Sequence, residues 1–374
     1  MAFANTYHGK RVFITGHTGF KGSWLAEWLL SLGAVVTGFS LPAPTSPALF
    51  EQLNLRRRLT HIEGDVRDLA ALGAAVNAAR PHFIFHLAAQ PLVLLSYKQP
   101  VETFAANIMG TVHLLDAVRQ ADFPCVIICV TTDKCYENRE WVHSYREEDS
   151  LGGYDPYSSS KGATELVINS YRRSFFSAPN GKVHVASARA GNVIGGGDWA
   201  LDRIVPDCIR SLARMNAISV RNKTATRPWQ HVLEPLSGYL WLAARLEQTA
   251  AKRDCQQAGL SSAFNFGPAL ASNRTVAELV QEILLHWPGS WDDHSDPAAV
   301  HEAKFLNLST DKAFHHLQWR SIWDFSQTVA HTVKWYNQHR EASGAPDAKL
   351  AAFTKSQIKT YEMDARSRAI AWAD

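Results

Sequence analysis

A glycine-spaced turn between an apolar strand and a helix does most to limit what this chain can fold into. Lys10-Arg-Val-Phe-Ile-Thr15 reads as a strand, Gly16-His-Thr-Gly19-Phe-Lys-Gly22 as a tight loop, and Phe20 to Leu32 as an amphipathic helix. Glycines at this spacing let the backbone approach a bound group closely. The helix N-terminus that follows offers free N–H groups and positive dipole to an anion. The spacing is G-x-x-G-x-x-G, not G-x-G-x-x-G, but the physics is shared. At the first strand–helix junction of a βα series, it predicts a pyrophosphate cradle.

The alternation continues. Strands are predicted over Gly33-Ala-Val-Val-Thr-Gly-Phe39, His82–Leu87, Cys125–Thr131 and Val183–Ala188, with helices over Pro100–Gln120 and Asp155–Phe176. Such a pattern builds right-handed βαβ units. The predicted fold is therefore α/β: a Rossmann-type doubly wound parallel sheet with a smaller mixed α/β C-terminal lobe. Beyond about residue 192 the pattern loosens. Loops with glycine and proline separate helices near 203–214, 235–248, 275–286 and 324–340. The expected division is 1–192 for the dinucleotide domain, to which some later segments return, 193–345 for the substrate lobe, and 346–374 for a peripheral tail.

Composition excludes several classes. With 38 basic against 35 acidic residues the net charge is +3, and no block of one sign occurs, which argues against a nucleic-acid or membrane-surface partner. No run reaches the roughly 18 apolar residues of a membrane span. The N-terminal residues lack the apolar core of a signal peptide. The five cysteines form no C-x-x-C pair, as expected for reduced thiols in the cytoplasm, and no metal site is predicted.

The chemistry is expected at the end of the 125–131 strand, because open α/β sheets place their sites outside the carboxyl ends of strands. Thr131-Thr132-Asp133-Lys134 puts a hydroxyl, a carboxylate and an ammonium there in succession. Tyr157 and Lys161 lie four residues apart after Asp155-Pro156, a helix start, and so share one helix face. A neighbouring ammonium favours a phenolate, which would let Tyr157 act as a base. The bland alternative for Asp133-Lys134 is a surface ion pair. On the coenzyme side, the second strand ends Phe39-Ser40 without the acidic residue that usually binds the ribose, and no arginine follows closely to meet a 2′-phosphate. NAD is the default expectation. Asp65-Val66 is where an adenine edge could be read, and Ala88 and Ala89 are small enough to let a coenzyme lie close.

Together the glycine triplet, Leu87-Ala-Ala-Gln90, the Tyr157/Lys161 pair and Arg189-Ala-Gly-Asn192 resemble the extended short-chain dehydrogenase/reductase family. Thr132-Asp133-Lys134 narrows the resemblance to its nucleotide-sugar 4,6-dehydratases. Gly16–Trp24, Thr132–Tyr136, Asn138–Trp141, Gly191–Trp199 and Arg227–Pro235 are similar to the branch acting on CDP-linked glucose, while Leu94 stands where that branch is expected to carry arginine. The similarity runs from about residue 8 to 340.

The resemblance implies NAD held by Gly16, Thr18, Gly19, Phe20, Gly22, Asp65, Val66, Leu87, Ala88, Ala89, Asn107, Thr131, Tyr157 and Lys161. It implies catalysis by Thr132, Asp133, Lys134, Tyr157 and Lys161. Tyr157 would take the C4 hydroxyl proton with help from Thr132, Lys134 would remove the C5 proton, and Asp133 would protonate the leaving C6 hydroxyl. CDP-glucose would meet Asn192 and Arg227 at its phosphates. Arg203, Ile204, Arg221 and Asn265 would line its base and ribose, with His301 near the diphosphate or ribose. Helices over 98–120 and 155–177 would pair into a homodimer or homotetramer interface. A dehydratase or epimerase for a dTDP- or GDP-linked sugar, and a non-catalytic nucleotide-binding module, stay open at this point.

Overall fold

The computed structural model describes residues 2–178, 181–251, 259–295, 305–341 and 348–374. Seven parallel strands form its central sheet: β1 (Arg11–Thr15), β2 (Val35–Ser40), β3 (Thr60–Glu63), β4 (Phe83–His86), β5 (Cys125–Val130), β6 (Val183–Arg189) and β7 (Ala263–Asn265). Their order is β7-β6-β5-β4-β1-β2-β3. The chain thus turns back between β3 and β4, and β1 and β4 lie side by side at the switch point where such sheets bind ligands.

The apolar strands are explained by cover on both faces. Successive residues point to opposite sides. Val12, Ile14, Phe83, Phe85, Val126 and Ile128 enter one cluster with helices α1 (Phe20–Ser31), α6 (Leu233–Ala251) and α8 (Phe325–Glu341). Phe13, Ile84, Ile127 and Cys129 enter the other with α2 (Leu69–Ala79), α3 (Gly110–Ala121) and α4 (Pro156–Ser174). Each such side chain contributes roughly 1.5–3 kcal/mol when fully buried.

One helix near the site differs from expectation and one agrees with it. The predicted 100–120 helix contains a π-turn over Ala105–Met109, with Asn107 inside it. Such single-turn widenings redirect a side chain at functional positions. Helix α4 begins as predicted: Asp155 caps it by accepting from the Ser158 N–H at 2.9 Å, and Pro156 occupies the first turn.

Among the described residues, the C-terminal half adds α5 (Ile204–Ala213), α7 (Val276–His286) and three two-stranded ribbons, and returns β7 to the sheet. The expectation of a peripheral tail over 346–374 is corrected. Helix α9 (Ala348–Ser367) buries Leu350, Ile358, Tyr361 and Ala365, and Trp372 is fully buried beyond it. Trp372 stacks on Phe3 at 4.9 Å between ring centroids, and the Trp28 indole N–H donates to Glu362 at 2.8 Å. The apolar residues of this segment cover a face of α1 that solvent would otherwise reach.

Candidate active site

The glycine loop is built as a cradle. Gly16 has φ +78°, and a Cβ there would meet the Ala88 nitrogen at 2.7 Å; one on Gly22 would meet the Gly16 carbonyl at 2.2 Å. Those two glycines allow close packing against β4's outgoing loop and within the turn. Gly19 is different: a Cβ would have only the Gly16 oxygen within 4 Å, at 3.5 Å. Gly19 is also the N-cap of α1, and no side chain caps that end. Uncapped N–H groups beside an open glycine suit a pyrophosphate.

At the end of β2, where no acid was found, Thr18 Oγ1 and Ser40 Oγ lie 2.8 Å apart, and the Thr18 hydroxyl reaches the Leu41 carbonyl at 3.0 Å. A neutral hydroxyl pair therefore stands at the strand end that lacks an acid. Asp65 is committed to Arg67, accepting from its backbone N–H at 2.9 Å and its guanidinium at 2.8 and 2.5 Å. Asn107 exchanges hydrogen bonds with the Gln90 backbone at 2.8 and 3.2 Å and donates to Ser160 Oγ at 2.8 Å. Its amide is thus spent on holding the Leu87–Gln90 loop against α4. Val66 is buried against Gly110. Ala88 receives its place from β1, donating its N–H to Thr15 Oγ1 at 3.2 Å.

Thr132, Asp133 and Tyr157 come together among the predicted catalytic residues. Thr132 ends β5's extended run and starts a 3₁₀ turn over Asp133–Cys135. Its hydroxyl donates to Asp133 Oδ1 at 2.9 Å, and Asn192 Nδ2 approaches Oδ2 at 3.4 Å. Gly191 lets Asp133 in: a Cβ there would lie 1.8 Å from Oδ2. Asp133 is buried and Lys134 half-buried, so the surface ion-pair alternative fails for the carboxylate. Tyr157 and Lys161 are buried on the facing side of α4.

The groups around Tyr157 act on its phenol in opposite directions. Burial pushes the Tyr157 phenol up to about 12; hydrogen bonding with Thr132 and the Arg203 charge pull it down, while Asp133 pushes it further up. The protein's own groups therefore leave Tyr157 protonated at neutral pH. Burial lowers the Lys161 ammonium to about 8, against the pull of the Glu165 carboxylate. The Lys161 amine also reaches the Val130 carbonyl at 3.4 Å.

Arg203, expected at the base, donates to Asp198 at 2.9 Å, and its charge acts on both Tyr157 and Lys21. Ile204 opens α5 directly after it. Arg221 is exposed and pairs with Asp202 at 3.1 Å and Asp207 at 3.6 Å. Arg227 lies on the short strand Thr226–Pro228 and donates to the Thr226 carbonyl at 2.9 Å. Asn265, expected near the base and ribose, is fully buried; it accepts from the Tyr136 hydroxyl at 2.8 Å and donates to the Tyr145 carbonyl at 2.9 Å. Both ends of its amide are satisfied inside the protein. His301 lies outside the described residues.

Two residues were not foreseen. Lys21, inside the glycine loop's own sequence, places its amine 3.5 Å from the Tyr239 hydroxyl and 5.7 Å from that ring's centroid. Burial, then the Arg203 and Lys161 charges, lower it to about 7, with Asp133 opposing. A lysine between two loop glycines was the available signal. Tyr239, on α6, gave none.

A glycine cradle at the sheet's switch point, beside a strand-end acid/base cluster faced by a tyrosine–lysine helix, defines a dinucleotide-dependent enzyme of Rossmann type. The chain belongs to the GDP-mannose 4,6 dehydratase family, whose model matches residues 13–332. A CDP-glucose 4,6-dehydratase of Salmonella typhimurium (strain LT2) is 48% identical over 339 residues, covering 89% of this chain and 92% of that protein. Among solved structures, a dTDP-glucose 4,6-dehydratase from Streptomyces venezuelae with NAD bound is similar with a TM-score of 0.73 at 23% identity, covering 88% of this chain and 98% of that one. A UDP-glucose-4-epimerase from Stenotrophomonas maltophila with bound NAD gives 0.76 at 20% identity, covering 89% and 100%. At these identities the structural likeness is one of fold.

Proposed function

We propose that this protein is an NAD-dependent CDP-glucose 4,6-dehydratase, a hydro-lyase forming CDP-4-dehydro-6-deoxyglucose and water. The 48% identity across nearly the full length of a relative of that name carries the reading. The convergence of Thr132, Asp133 and Tyr157 supports it. The uncapped α1 terminus and open Gly19 fit the coenzyme's pyrophosphate, with the Thr18/Ser40 hydroxyls beside its ribose. When bound, NAD supplies hydride acceptance from sugar C4 and hydride return to C6.

The chain's own residues handle protons and orientation. Tyr157 accepts the C4 hydroxyl proton while Thr132 orients the same oxygen. Its phenol must fall from about 12 for this, so the charge of the bound coenzyme has to add to that of Lys161. The C4 ketone acidifies the C5 hydrogen, which Lys134 removes. Asp133 delivers a proton to the departing C6 oxygen. The Thr132 hydroxyl and Asn192 amide hold that carboxyl in place. Opposed demands on adjacent groups are how such sites divide acid from base. Arg227 is assigned to the nucleotide's phosphates, since guanidinium forks match them, and Arg203 to its base and ribose.

A cytoplasmic setting and a homo-oligomer belong to the same reading. Val101, Met109, Leu166 and Phe175 are exposed along the helical run at 100–121, on α4 and at its C-terminal end, a face suited to a second copy. No described helix is long and apolar enough to cross a membrane.

The test is turnover of purified protein with NAD⁺ and CDP-glucose, followed through the alkaline absorbance of a 4-keto-6-deoxy sugar. Product from CDP-glucose, lost in Tyr157→Phe without loss of folding, is the expected result. Turnover confined to dTDP- or GDP-linked sugars would overturn the substrate.

A further inference from the structure

One buried ion pair, Glu165 with Arg189, joins the catalytic helix α4 to the ends of β5 and β6. Glu165 lies on α4 one turn beyond Lys161, as Lys161 lies one turn beyond Tyr157, so the three share a helix face. Its carboxylate accepts from the Thr131 hydroxyl, from Ser187 Oγ at 2.8 Å and from Arg189 Nη2 at 2.8 Å. Arg189, at the end of β6, donates through Nη1 to the Tyr136 hydroxyl at 2.7 Å and to the Glu147 carbonyl at 3.0 Å. Its guanidinium lies 4.9 Å from the Tyr136 ring centroid.

Thr131 immediately precedes the Thr132-Asp133-Lys134 turn, and Tyr136 follows it by two residues. The pair therefore holds the turn at both ends: Glu165 at the entry, Arg189 at the exit. Gly191 and Asn192, which shape the Asp133 position, follow Arg189 in the segment that leaves β6. Both partners are nearly fully buried, with side-chain exposures of 4% for Arg189 and 3% for Glu165. A buried pair often contributes little net stability compared with apolar replacements, so its value lies more readily in specifying geometry. Glu165 also opposes the effect of burial on the Lys161 ammonium.

We propose that Glu165 and Arg189 are positioning residues: their ion pair fixes the Thr132-Asp133-Lys134 turn against the Tyr157–Lys161 helix face, so that the groups for oxidation and elimination meet one sugar. The proposal rests on the dehydratase reading for its kinetics. Its electrostatic half, Glu165 acting on Lys161, does not.

The decisive variant removes both charges, Glu165→Gln with Arg189→Met, because either single change leaves a buried charge alone and risks the fold. It is compared with Glu165→Asp, which keeps the charge, and with the wild type. The double variant is expected to melt cooperatively near the wild-type temperature. Its kcat should fall on the order of 10²-fold with KM little changed, the scale of a 1 Å misplacement. Without the carboxylate, Lys161 loses its proton at lower pH, so the alkaline limb of the kcat profile should move toward acid. Glu165→Asp should recover part of both. Independently of turnover, ¹⁵N NMR of the Lys161 amine should show its titration midpoint lowered in the double variant.

A folded double variant with wild-type kcat and an unmoved alkaline limb would overturn the proposal. So would an unchanged Lys161 midpoint, or a loss in which KM rises in parallel with the fall in kcat. If the wild type turns over no nucleotide sugar, the dehydratase reading fails. The Lys161 titration still decides whether Glu165 sets that charge.

Discussion

Two buried glutamates hold two regions of this molecule together, and they do so with opposite electrostatics. Glu165, beneath the catalytic turn, accepts from two hydroxyls and the Arg189 guanidinium. Its carboxyl stays below the ordinary range; burial, the largest influence, pushes it up but is outweighed by Arg189, with help from the hydroxyls. Glu234, at the start of α6, accepts from the Ile322 and Trp323 N–H groups at 2.9 and 2.7 Å and from the Tyr361 hydroxyl of α9 at 2.8 Å. Its donors are all neutral, and burial carries it up to about 7 despite them. Three good hydrogen bonds do not keep a fully buried carboxylate ionised, whereas an added guanidinium does.

The linkage signs follow. Glu165, with a depressed folded pKa, contributes stability that is present above its unfolded value near 4.5 and lost as pH falls through the folded value. Glu234, raised from 4.5 to about 7, contributes stability that is complete below 4.5 and lost as pH rises through about 7. The catalytic centre is thus fastened for neutral and alkaline pH, while the docking of α9 weakens there.

The largest effect that would break this contrast comes from Arg189→Leu. It strands Glu165 and should cost about 3–5 kcal/mol in denaturant unfolding at pH 7. A cost under 1 kcal/mol would mean that the two glutamates are alike. Next, Glu234→Gln should flatten the stability–pH curve between pH 5 and 8, removing a decline on the order of 3 kcal/mol that follows from the rise from 4.5 to about 7. An unchanged slope there would place that titration elsewhere.

Gly191→Ala sharpens the comparison from the catalytic side. Its Cβ would stand 1.8 Å from the Asp133 carboxylate, so kcat should drop on the order of 10²-fold while the melting temperature barely moves. Normal turnover would show that Asp133 need not occupy its place. The smallest change is Thr18→Ala, which loses the hydroxyl contacts to Ser40 and Leu41 where the coenzyme ribose is proposed. A loss of about 1 kcal/mol in NAD affinity by calorimetry is expected, and no loss would remove Thr18 from that site.

What was legible in the sequence was local. The Gly16–Gly22 loop, the strand alternation and the four-residue step from Tyr157 to Lys161 follow from backbone periods that spacing records directly. That step continues to Glu165, and the third residue was readable in the same way. The contacts that escaped are long-range. Lys21 and Tyr239 are 218 residues apart, and Trp28 and Glu362 are 334 apart. The Tyr136 and Tyr145 partners of Asn265 are of the same kind, supplied by tertiary packing and absent from its residue type. The tail was misread for a related reason: α9 is mostly polar in sequence, and its few apolar residues gain meaning only against α1 and α6.

The central claim is that one site oxidises C4, eliminates water across C5 and C6, and returns the same hydride. It is tested most directly with CDP-glucose deuterated at C4, incubated with the protein and NAD⁺ and followed by NMR and mass spectrometry. The account predicts a 4-keto-6-deoxy product with the deuterium at C6. A 4-keto-6-deoxy product lacking the label, or a 4-epimer retaining it at C4, would contradict it.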